Sequence, residues 1–90
     1  MSRWRLETTA DFDRAVRKLD EPTVLRIKKY LDGLIELDNP RERGRRLTAE
    51  LSSYWRYRIG DYRLLVEIHD DVLVLIAVGL AHRSEIYRTH

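Results

Sequence analysis

Ninety residues, 43% hydrophobic and 36% charged, describe one soluble domain with a single modest core, residues 1–90, and exclude a disordered chain. With no cysteine, and with His69, His82 and His90 lacking metal-site spacing, neither a disulfide framework nor a metal or other cofactor is expected. The net charge of +2 is small, but residues 41–63 hold seven Arg against three acids, the footprint expected for a polyanion partner. No run reaches transmembrane length and no apolar leader opens the chain, so no membrane association and a cytoplasmic location are expected.

From Arg3 to Glu7, Trp4 and Leu6 alternate with charged residues, which predicts a short first strand. Thr8 or Thr9 then caps a helix whose Phe12, Ala15, Val16 and Leu19 recur at helical spacing, ending near Asp20. Pro22 suits the first turn of a second helix, with Asp20 as its cap and Val24, Ile27, Leu31, Leu34 and Ile35 as its apolar stripe. Asn39-Pro40 ends it, giving two antiparallel helices of about three to four turns. Residues 41–53 are polar and Arg-rich and read as a loop or a short turn of helix.

Tyr54 to Ile68 carries the clearest local signal. Two aromatic and β-branched runs flank Gly60-Asp61, which predicts a β-hairpin with a type II′ turn and Gly60 at the position of positive φ. In that register Ile59 faces Tyr62, Arg58 faces Arg63, Tyr57 faces Leu64 and Arg56 faces Leu65. One face then carries Trp55, Tyr57, Ile59, Tyr62, Leu64, Val66 and Ile68 as a core, and the other carries Arg56, Arg58 and Arg63. Like charges opposed across a ladder destabilise it unless an acid or an anionic ligand lies near. Glu67, farther along that face, is a partner for one Arg at most. Three convergent Arg favour a phosphate site over a merely solvated face.

Asp70-Asp71 reads as a second tight turn and Val72 to Val78 as a strand covered on both faces. Leu73, Leu75 and Ala77 join the helix-packed side, whereas Val72, Val74, Ile76 and Val78 join Leu65 on the Arg side. Gly79 opens a loop, and Ser84 to Tyr87 form a final turn. The expected fold class is therefore α+β: a strand, an antiparallel helix pair and a three-stranded antiparallel meander. It leaves an apolar strip beside the basic cluster, the mark of a protein interface with a hetero-partner, with cover by residues 41–53 or homodimerisation as the alternatives.

Taken together, the stretch Trp55-Arg56-Tyr57-Arg58-Ile59-Gly60-Asp61-Tyr62-Arg63, the turn Asp70-Asp71 with its apolar strand, and His82-Arg83-Ser84-Glu85-Ile86-Tyr87 resemble the RelE/ParE toxin superfamily, specifically its RelE branch. The resemblance spans the whole chain. It implies the RelE-like fold and a type II toxin that cuts messenger RNA in the ribosomal A site without a metal, held inactive by a cognate antitoxin in a hetero-oligomer. In the implied reaction the ribose 2′-hydroxyl attacks the adjacent phosphate, leaving a 2′,3′-cyclic phosphate and a 5′-hydroxyl. Such a step needs an acceptor for the 2′ proton, a donor for the 5′ oxygen and cations for the charge on phosphorus.

Carried over by motif position, Arg56 and Arg58 stand at two basic hairpin sites that are often Lys, Arg63 matches a Tyr-Arg pair, and Tyr87 matches a terminal Tyr. Two departures matter. Arg is a poor base where such enzymes use a Lys, and Ala81 stands where they carry an Arg assigned as general acid. His82 follows at once and suits proton transfer near neutral pH. The resemblance thus implies His82 for proton transfer, Arg58 and Arg63 for charge stabilisation, Arg56 for positioning the phosphate and Tyr87 for stacking on or orienting a base. Arg43, Arg45, Arg46 and Arg83 are expected RNA contacts, although Arg83 paired with Glu85 is an alternative for the last. Two other readings stay open: a ParE-like inhibitor of DNA gyrase on the same fold, and an inactive relic that only binds antitoxin.

Overall fold

The computed structural model of the chain describes residues 3–47 and 54–86, the last two by backbone alone. Strand β1 (Arg5–Thr8) runs into helix α1 (Ala10–Arg17), which is followed by helix α2 (Glu21–Leu34). Thr9 is the residue that starts α1, its Oγ1 accepting the Phe12 N–H at 3.2 Å. Asp20 takes the same position before α2, but its carboxylate accepts the Thr23 hydroxyl instead of a helix N–H.

Both helices are shorter than the apolar pattern predicts. After α1, the Lys18 and Leu19 N–H groups donate to Ala15 and Val16; after Gly33 at the end of α2, those of Glu36 and Leu37 donate to Gly33 and Leu34. These i to i−3 bonds tighten each end into 3-10 geometry. Pro40 therefore opens a separate 3-10 turn (Pro40–Arg43), capped by the Asn39 side chain, rather than ending α2.

Among the described residues the sheet has five strands in the order β1-β5-β4-β3-β2. The predicted meander is β3 (Tyr54–Ile59), β4 (Tyr62–His69) and β5 (Val74–His82). It is widened by β1, parallel to β5, and by β2 (Arg45–Arg46), antiparallel to β3 where the composition predicts a loop. The β3–β4 register has Arg58 facing Arg63 and Tyr57 facing Leu64, as the turn dictates. Gly60 sits at φ 58 and Asp61 is not in the positive region, the type II′ pattern.

Past the hairpin the chain departs from simple alternation. The second turn takes residues 70–73, with Leu73 at φ 54, so β5 opens at Val74 rather than Val72. Strand β5 also continues through Gly79, where a loop is predicted, to His82. Between these points Val66 faces Ala77 but Leu65 faces Gly79, so Val78 is the extra residue of a β-bulge. Thr9 holds that bulge by donating its hydroxyl to the Val78 carbonyl at 3.0 Å. One side chain thus starts α1 and satisfies a carbonyl that the ladder leaves over.

The core lies between the helices and one face of the sheet. Phe12, Ile27, Leu31 and Leu34 meet Tyr57, Ile59, Leu64, Val66, Leu75 and Ala77, all buried. Tyr57 is fully buried, and its hydroxyl donates to the Pro40 carbonyl at 2.8 Å. That bond pins the 3-10 turn against the sheet. Arg41 then reaches Asp70 with two bonds of 3.0 and 2.6 Å and lies 5.6 Å over the Trp55 ring. Among the described residues no helix is long and apolar enough to cross a membrane.

Candidate nucleic-acid interface

The face away from the helices collects the arginines. Because directly opposed residues share a face, one row across the sheet reads Arg58, Arg63, Ala81, and the next reads Arg45, Arg56, Leu65, Gly79. Opposed Cβ atoms lie about 5 Å apart and alternate residues of one strand about 7 Å, so the arginine stems spring from one small patch. Arg45, Arg56 and Arg58 have no carboxylate within 4.0 Å among the described residues. Glu67, in the following row, is taken by His69, whose Nε2 is 2.8 Å from its Oε1, so it serves none of the arginines.

Arg63 is the fixed member of this set. Its Nη1 donates to the carbonyls of Gly60 at 3.1 Å and Tyr62 at 3.0 Å, folding the guanidinium onto the hairpin turn. Beside it the floor is low: a Cβ added to Gly79 would meet nothing within 4 Å, and Ala81 adds only a methyl. The patch is a cluster of cations around an open shelf, suited to hold a phosphate with the sugar over Gly79 and Ala81. Among the described residues no three His, Asp or Glu side chains gather as metal ligands.

His82 stands elsewhere. The register pairs it with Tyr62, and the two rings meet edge to face with centroids 5.3 Å apart on the helix side of the sheet. The cause is the bulge. Without the extra Val78, strict alternation from Ala77 brings His82 to the arginine face and Ala81 to the core side; with it, the two exchange places. His82 Nδ1 also accepts the Ser84 N–H at 3.2 Å, capping the terminal helix α3 (Arg83–Ile86). In the neutral ring this leaves the proton on Nε2, a donor and not an acceptor.

The other candidate residues divide similarly. Arg45 joins the arginine face, whereas Arg46, opposite Trp55, belongs to the helix side. Arg43 lies by α2, its Nη1 3.9 Å from where a Gly33 Cβ would stand. Arg83 is tied to the hairpin tip: its N–H donates to the Asp61 carbonyl at 2.7 Å and its Nε is 3.9 Å from Asp61 Oδ1. Asp61 is thus its acidic neighbour, while the Glu85 side chain and Tyr87 lie outside the described residues. Of the apolar strip, Val74 is buried and Leu65 and Ile76 are half-buried. The shelf at Gly79 and the bulge escape composition and periodicity; a glycine inside an apolar strand is the one signal that points to them.

No curated protein sequence matches the chain. Among solved structures, the RelBE2 toxin–antitoxin complex of Mycobacterium tuberculosis contains a chain of 25% identity and TM-score 0.82, the match covering 93% of this chain and 95% of that one. A chain of the archaeal RelE–RelB complex of Pyrococcus horikoshii gives 24% identity and TM-score 0.73 over 92% and 97% of the two chains. The isolated RelE toxin of E. coli gives 20% and 0.72 over 94% and 92%. The last two likenesses establish a RelE-like fold. The family model described as ParE toxin of type II toxin-antitoxin system, parDE, matches residues 3–87. The chain is therefore a type II toxin of the RelE/ParE superfamily, a member of the ParE toxin family.

Proposed function

We propose that this toxin is a ribosome-dependent messenger RNA endoribonuclease that cuts in the A site and so inhibits translation in the cytoplasm. The observation that carries the reading is the face holding Arg45, Arg56, Arg58 and Arg63, where none of the four has an acidic partner among the described residues. A buildup of unpaired cations costs stability and is repaid when a polyanion binds. Arg56 and Arg45 position the phosphate; Arg58 and the turn-held Arg63 stabilise the extra negative charge as the 2′ oxygen attacks phosphorus. The P–O2′ bond forms as the P–O5′ bond breaks, solvent water takes the 2′ proton, and a donor protonates the 5′ oxygen.

His82 is the donor in this scheme and not the base: as the imidazolium its Nδ1–H donates to the Ser84 Oγ 2.9 Å away, and its Nε2 proton goes to the leaving oxygen. His82 lies behind the β5 edge, so the RNA passes round that edge to reach it. Arg43, Arg46 and Arg83 contact RNA beyond the phosphate site, and Tyr87 orients a base. The partner that restrains the toxin is an antitoxin, as RelB is in the complexes of the similar chains. It covers the strip at Leu65 and Ile76 and thereby masks the arginines, forming a hetero-oligomer.

The second reading is inhibition of DNA gyrase. The ParE family match and the placement of His82 away from the arginine face favour it. The deciding experiment runs both activities on one preparation: messenger RNA cleavage in a purified translation system with and without ribosomes, and gyrase supercoiling. Ribosome-dependent cleavage without a gyrase effect supports the proposal; the converse replaces it. Loss of both with intact antitoxin binding identifies a relic.

A further inference from the structure

On the helix side of the β4–β5 ladder lies a cavity of about 330 Å³ between α1 and the end of β5. It is lined by Ala15, Leu19, Leu80 and the edge-to-face pair Tyr62 and His82, together with the charged Asp11, Arg14 and Lys18. Arg14 is held by Asp11 at 2.9 Å, whereas Lys18 has no carboxylate within 4.0 Å among the described residues. The volume falls in the range of small-ligand sites, roughly 300–1,000 Å³. Its aromatic wall, apolar floor and single unpaired cation match a planar aromatic ligand carrying a nearby negative charge.

Its position relates it to the arginine face. Strand β1 pairs with β5 only as far as Ala77, so from Val78 to His82 the outer edge of β5 has no neighbouring strand among the described residues. Along this stretch Arg63 and Ala81 face one way, and their neighbours Tyr62 and His82 face the other. Arginine patch and cavity are therefore the two sides of one half-buried strand end. A single-stranded polynucleotide with a phosphate on the patch needs to turn round only one strand to set its next base in the cavity.

We propose that this cavity is a nucleobase pocket for single-stranded RNA. It takes the base next to the phosphate held by the arginines, stacking it on the Tyr62 ring with the perpendicular His82 ring at the base's edge, while Lys18 meets the following phosphate. Base stacking on aromatic side chains is sequence-tolerant and strong enough to fix the path of a strand. The inference rests on the RNA-binding reading above and adds the location of a base-binding subsite.

The test uses a short single-stranded RNA, 2′-O-methylated so that it cannot be cut and carrying 2-aminopurine, titrated with the full chain. Stacking in the pocket quenches the fluorophore. Ala15→Leu, which fills the cavity from α1, is expected to weaken binding about tenfold and to restore fluorescence in the bound complex. Lys18→Glu, on the exposed helix surface, is expected to weaken it several-fold and needs no core rearrangement. Arg58→Ala weakens binding but leaves the bound fluorophore quenched. Binding that depends on Arg58, yet is unquenched and indifferent to Ala15→Leu and Lys18→Glu, overturns the pocket and leaves the polyanion face standing. No binding by the wild type overturns the pocket, while the ribosome-dependent reading stands or falls on the cleavage assay above.

Discussion

Replacing Tyr57 with Phe tests the bond that joins the 40–44 turn to the sheet. Tyr57 and Pro40 are both fully buried, and the phenol donates to the Pro40 carbonyl at 2.8 Å. Phe retains the ring and its edge-to-face contact with Tyr30, 6.2 Å away, and removes only the donor. A buried carbonyl left without its partner costs about 1–3 kcal/mol. Taking about 2 kcal/mol, a domain of this size melts roughly 8–16 °C lower. Urea unfolding followed by circular dichroism reads the difference as a lower midpoint at unchanged slope.

The same pair makes a pH prediction. Burial, aided by Tyr30, pushes the Tyr57 phenol far above its ordinary value of 10.0. Its contribution is complete below pH 10, where the unfolded phenol is protonated, and declines as pH rises toward the folded value, because only the unfolded chain ionises. The variant lacks this loss, so the gap between the proteins narrows above pH 10. A gap below about 0.5 kcal/mol at neutral pH, less than the desolvation of a single buried carbonyl, refutes the assignment, as does a gap that widens in alkali.

Other positions give equally direct outcomes. A Cβ at Gly44 would lie 2.8 Å from the Tyr57 ring, which is buried and cannot yield, so Gly44→Ala is expected to lose about 1–3 kcal/mol in the same urea assay. Thr9→Val keeps the shape and removes the hydroxyl that caps α1 and holds the Val78 carbonyl; it should cost about 1–2 kcal/mol and speed hydrogen exchange at the start of α1. The Arg41 hydrogen bonds hold the Asp70 carboxyl below its usual range. That contribution is present above about pH 4 and lost as pH falls through the folded value, so Asp70→Asn should flatten the acid limb of the stability profile.

The hairpin was legible because its signals are local. Gly60-Asp61 can close a two-residue turn in essentially one way, and that turn fixes which of Arg56, Tyr57 and Arg58 faces the core. Thr9 and Pro22 marked helix starts for similar reasons. The helix ends were less legible: Ile35 continues the apolar stripe, yet it enters the core from a 3-10 turn, which the same spacing permits. Strand β2 carries two arginines and no strand signal; it exists because β3 offers it an open edge. The candidate site depended most on a long-range event. The bulge at Val78 arises from pairing with β4 and from the Thr9 hydroxyl, neither of which is visible within β5 itself. That one residue sends His82 to Tyr62 and leaves Ala81 beside Arg63. The basic footprint was readable from charge counting, but its division between two faces was not. Arg45 faces as Arg56 does, while Arg41 is drawn along the surface to bind Asp70 and cover Trp55.

The most direct test of the central proposal is the rate and product of messenger RNA cleavage in a purified translation system, comparing wild type with Arg58→Ala. Arg58 is exposed and carries no ion pair among the described residues, so its loss should leave folding intact. The expected result is ribosome-dependent cutting that leaves 2′,3′-cyclic phosphate ends, slowed by about 10²–10³ in the variant, as for removal of one charge-stabilising donor. Wild-type cutting at the same rate in Arg58→Ala, or no cutting by a folded wild-type protein, would contradict it.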